Sequence, residues 1–280
     1  MSFHNISASA LQVNKSLVPD ANGVMMYDYG GSVGKVYNPK VLALAGLKYF
    51  NEYREENDEQ AKMYFLSTAD WLVSSLQKKG SYSLWEYKFP WLHYGGVNAP
   101  YASALAQAEG INVLIKAHNM TDDEGYLTAA KKAFSAFMVD YESGGVASDE
   151  GRDSIFLRLL AKPGFQKTYV LIGYTNSLSF IWNYYAYARD YRALIVLGKG
   201  INWLVGNLHK YDTGEWSYYD LMRNLASDDY HHSHINQLAQ LYNITKERMF
   251  KDIPIDLLTI VVCCLLKVAS PHGHIANSSF

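Results

Sequence analysis

Tyr37-Asn-Pro-Lys-Val-Leu-Ala-Leu-Ala-Gly-Leu-Lys-Tyr-Phe-Asn-Glu52 is followed, after a short polar break, by Asp58-Glu-Gln-Ala-Lys-Met-Tyr-Phe-Leu-Ser-Thr-Ala-Asp-Trp-Leu72. Val41 to Glu52 carries its apolar residues at helical spacing, and Pro39 suits a first helical position because its missing N–H would have no partner there. Asp58 to Leu76 repeats the pattern, with Phe65, Ala69, Trp71 and Leu72 on the apolar side. Two such runs with a tight link predict a helical hairpin. The pattern returns in Tyr101–His118, Glu124–Tyr141, Tyr169–Ala188, Tyr191–Leu208, His234–Leu241 and Ile255–Val268, about eight helices in all.

Long loops rich in Gly and aromatic residues separate these pairs: Tyr82–Pro100, Gly144–Gln166 and Tyr211–His232. They hold too much Trp, Tyr and Phe to be linkers, and loops of that length in a compact domain are usually functional. Each follows the second helix of a pair, so all three are expected on one face. The expected fold is all-α, an (α/α) toroid of helical hairpins forming an incomplete α/α barrel. An N-terminal arm over 1–23 and a single domain over 24–280 are expected.

The chain has 280 residues, a formal charge of -2, 23 tyrosines and 6 tryptophans. Its pI near 6.5 gives no electrostatic reason to expect nucleic acid, which requires a basic face. Met1 to Gly23 lacks a basic stretch followed by an apolar run, so no signal peptide is expected. Leu257 to Leu266 is too short to span a bilayer and reads as a core helix, with Cys263 and Cys264 within it as small apolar residues. These features predict a cytoplasmic protein with no membrane span; a homodimer is left open.

Polar aromatic residues concentrate in Tyr211-Asp-Thr-Gly-Glu-Trp-Ser-Tyr-Tyr-Asp-Leu221 and Asp229-Tyr-His-His-Ser-His-Ile-Asn-Gln-Leu238. Tyr219, Asp220, Tyr230, His231, His234 and Asn236 crowd there. Buried polar groups cost free energy unless partnered, so such density points to a polar ligand. His231, His232 and His234 come without the recognisable ligand spacing of a zinc site, such as His-Glu-x-x-His, so no metal is expected. The bland alternatives are ring packing for the tyrosines and helix capping for Asn236 and Gln237.

Further stretches give these residues a family context: Val36-Tyr-Asn-Pro39, Thr68-Ala-Asp-Trp-Leu72, Ser103-Ala-Leu-Ala-Gln107, Gly144-Gly-Val146, Tyr211-Asp-Thr-Gly214, Tyr219-Asp-Leu221 and His234-Ile-Asn-Gln-Leu238. In this order, from about Val24 to Phe250, they resemble the C-terminal α/α domain of D-glucuronyl C5-epimerases, which convert glucuronate to iduronate within heparosan or heparan-sulfate chains. The resemblance implies catalytic roles for Tyr219 and Tyr230. It places His231, His234, Asn236, Arg223, Gln107, Tyr101 and Arg158 around the substrate, a uronate-containing polysaccharide or glycolipid, with no cofactor.

The chain also departs from the family. An acidic Tyr-Glu-Glu-Tyr-Pro segment before a Val-Leu-Asn-Gly helix aligns with Leu159-Leu-Ala-Lys-Pro163 ahead of Val170-Leu-Ile-Gly173. Only the proline matches, leaving Asp149, Glu150 or Asp153 as nearby acids. Three readings therefore stand: C5 epimerisation, binding of uronate glycans without efficient turnover, and a different toroid enzyme such as a lyase or glycosidase.

Overall fold

The computed structural model describes residues 16–91 and 94–245. Seven α-helices lie among the described residues: α1 Pro39–Glu56, α2 Glu59–Ser75, α3 Ala104–Thr121, α4 Glu124–Phe134, α5 Leu171–Ala188, α6 Tyr191–Asn207 and α7 Asp228–Ile244. The predicted helix at Ile255–Val268 and the cysteine pair lie outside the described residues.

One connector is used three times. Each first helix of a pair ends on a left-handed residue, Asn57 (φ 55°), Asp122 (φ 57°) or Arg189 (φ 54°), whose N–H bonds back to the last turn. An aspartate follows at once, Asp58, Asp123 or Asp190, and its carboxylate caps the next helix. The carboxylate takes up N–H groups that a helix start leaves unpaired, and its charge suits the positive end of the helix dipole. Three αα-hairpins result.

The odd-numbered helices form the inner row, with α1 on α3, α3 on α5 and α5 on α7. The even-numbered helices pack against their partners, and α2 also touches α3 and α4. Helix α3 is buried almost all round from Ala104 to Ala117, as a central helix must be. There Gly110 lets the Trp85 ring lie against the helix, where an added Cβ would sit 2.7 Å from the ring. The fold is an incomplete α/α toroid, as predicted.

The loops contain short strands that the sequence reading left as loop. Strands β1 Leu17–Pro19, β2 Met25–Asp28 and β3 Lys35–Val36 form one antiparallel sheet. Two further antiparallel pairs are β4 Gln77–Lys79 with β5 Tyr82–Leu84, and β6 Ala147–Asp149 with β7 Ile155–Leu157. Helix α4 is shorter than expected, and a 3-10 turn continues it over Ser135–Met138.

The long loops meet at the N-terminal ends of the inner helices. Asn38, the cap of α1, donates to the Tyr29 hydroxyl, and Tyr29 packs on Phe89. Ala104 at the start of α3 bonds Arg158, and Leu171 at the start of α5 bonds Tyr219. All three predicted loops therefore contribute to one end of the toroid. No helix among the described residues is long and apolar enough to cross a membrane.

Candidate functional site

Helix α7 begins earlier than its apolar spacing indicated. Ser227 caps it by accepting from the Tyr230 N–H, with Asp228 and Asp229 in the first turn. This puts Tyr230 and His231 on the helix rather than in the loop before it. Tyr230, His234 and Leu238 then share one side by their four-residue spacing, His234 and Leu238 being buried.

The loop from Tyr211 brings Tyr219 to that side. Tyr219 N–H donates to Asn224 O (2.7 Å), and its carbonyl accepts from Leu171 (3.0 Å). Asp220 is fully buried and closes the turn: Oδ1 accepts from the N–H groups of Met222 (3.0 Å) and Asn224 (3.2 Å), and Oδ2 from Asn224 Nδ2 (2.8 Å). Its remaining donor comes from far along the chain, the Tyr94 hydroxyl at 2.7 Å. The Tyr219 and Tyr230 rings face one another with centroids 4.9 Å apart. Burial, then the neighbouring Tyr230 and Asp220, push the Tyr219 phenol well above its ordinary range, so it is a neutral donor.

The two predicted histidines share one serine. Ser217 Oγ lies 2.9 Å from His231 Nδ1 and 3.0 Å from His234 Nδ1. A hydroxyl donates one proton, so it donates to one ring and accepts from the other. His231 stacks on Trp216, with centroids 3.9 Å apart, and burial lowers its pKa. Burial, then the neighbouring His231, lowers that of His234 to about 4. His234 Nε2 is buried without a hydrogen-bond partner. Gln237 bonds Thr175 on α5, while Asn236 is exposed on the far side of the helix.

The other predicted residues are placed differently. Arg223 is exposed, in a turn with φ 67°. Gln107 is fully buried, and its amide is taken up by Trp85 N–H, Ser83 O and Ala133 O, so the structure does not bring it to the cluster. Tyr101 stacks on Tyr87 at 4.6 Å near the start of α3, and its buried hydroxyl has no hydrogen-bond partner. Arg158 is only 3% exposed and turns Nε and Nη2 to backbone carbonyls, leaving Nη1 buried without a partner.

Of the three loop acids, Glu150 is the one turned inward. It accepts from Ser148 (2.7 Å), Lys167 (3.0 Å) and the Tyr169 hydroxyl (2.9 Å). Asp149 is exposed, and Asp153 pairs with Lys199. An acid and a tyrosine thus meet just before α5, although Leu159–Pro163 contributes neither.

Sequence reasoning counts Asp220 in the polar cluster and Tyr94 among the loop aromatics that could stack on sugar rings, but gives neither a partner, and it assigns no role to Ser217. The spacing of Asp220 to Met222 and Asn224 is an Asx-turn signal that would have marked the aspartate. Tyr94 stood among several loop aromatics, and Ser217 carried no signal of its own.

Comparison with known proteins places this arrangement. The family model for the D-glucuronyl C5-epimerase C-terminus matches residues 77–256, so the motifs at Val36–Pro39 and Thr68–Leu72 precede the matched span. An uncharacterized protein of Methanocaldococcus jannaschii is 27% identical over 215 residues, 72% of this chain and 69% of its own. The D-glucuronyl C5-epimerase of Caenorhabditis elegans is 28% identical over 210 residues, 68% of this chain but 34% of that enzyme. The match thus spans about a third of the nematode protein.

Among solved structures, unsaturated glucuronyl hydrolase of Streptococcus agalactiae superposes with a TM-score of 0.54 at 19% identity, covering 82% of this chain and 57% of that one. A family 76 glycoside hydrolase (mannosidase) of Bacteroides thetaiotaomicron also scores 0.54, at 12% identity, covering 86% of this chain and 63% of that one. At such identities the likeness speaks for the toroid fold alone. The family match, in contrast, takes in most of the chain and the whole cluster around Tyr219 and Tyr230: this chain belongs to the family of the D-glucuronyl C5-epimerase C-terminus.

Proposed function

We propose that this chain epimerises D-glucuronate to L-iduronate at C5 within a heparosan-like or other uronate-containing polysaccharide or glycolipid. The observation that carries this reading is the pair of facing phenols, Tyr219 and Tyr230, above the buried Asp220 turn. Family membership supports it.

The chemistry asks for two proton-transfer groups. The C5 hydrogen lies α to a carboxylate and is very weakly acidic, so charge building on that carboxylate must be met by cations or fixed donors. One group removes the proton from one face of the ring and another returns a proton to the opposite face. Tyr219, half-buried and held neutral, suits the returning donor. Tyr230, 43% exposed, suits the acceptor in its phenolate form, which a cation beside it would favour. Arg223, exposed in the adjoining turn, is the cation offered to the substrate carboxylate.

A second reading, uronate-glycan binding without turnover, is favoured by the occupied state of Glu150, which Ser148, Lys167 and Tyr169 already engage. Hydrolysis is less well served, because it needs two opposed carboxylates and Asp220 is held by four hydrogen bonds. Incubation with heparosan in deuterated water separates the readings. Deuterium at C5 with iduronate supports epimerisation, an unsaturated product supports a lyase, and binding without exchange supports the second reading.

A further inference from the structure

Tyr94 reaches Asp220 from a turn that needs external support. Tyr94, Gly95 and Gly96 all have positive φ, at 55°, 82° and 90°. That shape is free for the glycines but costs about 1 kcal/mol or more at a tyrosine. Its support is the segment from Arg158 to Lys167, which lies like a strap across the loop end.

The strap is anchored at its base. Arg158 N–H donates to Val146 O, its carbonyl accepts from Ala104, and Ala161 exchanges two backbone bonds with Ala102. The Arg158 guanidinium lies 4.0 Å above the Tyr141 ring. From there Nε donates to Leu160 O (3.3 Å), and Nη2 to Phe165 O (3.0 Å) and Gln166 O (2.8 Å). Among the described residues no carboxylate forms an ion pair with it. A buried guanidinium is costly, and here Nε and Nη2 go to the curvature of one loop while Nη1 is buried without a hydrogen-bond partner. Glu142 pins the strap further by accepting from Gly164 N–H (2.8 Å).

Two side chains of the strap then hold the tyrosine turn. Lys162 Nζ donates to Asn98 O (2.5 Å), and Gln166 Nε2 to Tyr94 O (3.3 Å). The Tyr94 hydroxyl meets Asp220 at 2.7 Å. Its ionisation is disfavoured by burial first, then by Asp220, and also by Tyr219 and Tyr230, which puts all three phenols in one neighbourhood.

We propose that Tyr94 is a third phenol of the glycan site and that Arg158 and Gln166 are its positioning residues. The proposal rests on the uronate-glycan reading given above. Tyr94 donates to Asp220, which leaves its oxygen lone pairs for a sugar hydroxyl and its ring for a sugar face. Arg158, expected from the sequence to touch the polyanion, acts instead through Gln166 and Tyr94.

The test uses the full chain with tyrosine labelled at Cζ, Tyr94→Phe assigning the Tyr94 resonance. In the unsubstituted protein that resonance titrates well above the ordinary tyrosine range near 10, because burial and the neighbouring Asp220 disfavour the phenolate. Gln166→Ala, an exposed change that spares the core, returns it towards that range. Arg158→Lys, with one charged group for three carbonyls, does so in part. With heparosan as probe, Tyr94→Phe and Gln166→Ala each lower kcat for C5 exchange about tenfold, the worth of one hydrogen bond, with each protein still folded at the assay temperature.

An unchanged Tyr94 titration in both Gln166→Ala and Arg158→Lys overturns the positioning role. A Tyr94 resonance unmoved by saturating heparosan, or exchange unaffected in both Tyr94→Phe and Tyr94→Ala, overturns its place in the site. If the unsubstituted protein exchanges no C5 proton, the epimerase reading falls, while the titration still decides the strap.

Discussion

The Tyr219 and Tyr230 rings stand with centroids 4.9 Å apart and planes tilted by 44°, one carried by an irregular loop and the other by the first turn of α7. Two separate backbone devices produce this pairing. The Asp220 turn fixes Tyr219 from below, and the Ser227 cap starts α7 early enough to raise Tyr230 beside it. The two phenols differ in surroundings, Tyr219 half-buried and Tyr230 exposed. That asymmetry suits an epimerase, whose two proton-transfer groups do opposite jobs.

Substituting each tyrosine separately distinguishes the jobs. With Tyr230→Phe, loss of C5 exchange from glucuronate is expected, by about a hundredfold or more, the usual worth of a general base. With Tyr219→Phe, deuterium still enters recovered glucuronate, but iduronate formation falls by a similar factor. Equal loss of both signals in both variants contradicts the division of roles. Thermal melting checks that neither variant is unfolded.

His234 makes stability depend on acid. Its folded pKa of about 4 lies below its ordinary value of 6.5. The unfolded chain therefore binds the proton first as pH falls. The stability is complete above pH 6.5 and is lost progressively towards pH 4, by on the order of 3 kcal/mol at most. Chemical denaturation at pH 7 and pH 4.5 measures this loss, and His234→Gln reduces it. A wild-type stability that is flat across that window contradicts the buried neutral imidazole.

Glu109 acts in the opposite sense. It is buried on α3 with Oε2 unpartnered, and burial, opposed by Lys40, raises its pKa to about 7. The folded state holds the proton more tightly than the unfolded state. Stability is therefore full below the ordinary value of 4.5 and declines as pH rises to 7. Glu109→Gln is expected to stabilise the protein at pH 8, by up to about 3 kcal/mol, and to change little at pH 4. Melting curves at the two pH values decide it; equal effects at both rule out titration as the cause.

The fold was legible because its signal is redundant. Helical spacing recurs hairpin after hairpin, and the connectors at Asn57-Asp58, Asp122-Asp123 and Arg189-Asp190 repeat one solution. The short strands were not legible, since two to four residues such as Lys35–Val36 cannot establish a period of two. The start of α7 was missed because Asp228 to His232 has no apolar stripe, although Ser227 with two following aspartates is a capping signal. In the site, motif positions located Tyr219, Tyr230, His231 and His234. Gln107 ends the Ser103–Gln107 motif and Arg158 lies in the Gly144–Gln166 loop, yet the structure turns both to backbone groups. The contact between Tyr94 and Asp220 joins residues 126 positions apart, and no local pattern encodes it.

The central claim is that a glycan uronate loses and regains its C5 proton at this tyrosine pair. The most direct measurement is NMR of heparosan incubated with the full chain in deuterated water. Deuterium at C5 together with iduronate, both suppressed in the Tyr219→Phe, Tyr230→Phe double variant, is the expected result. Glucuronate that keeps its C5 proton at every pH, under conditions where the glycan demonstrably binds, would contradict it.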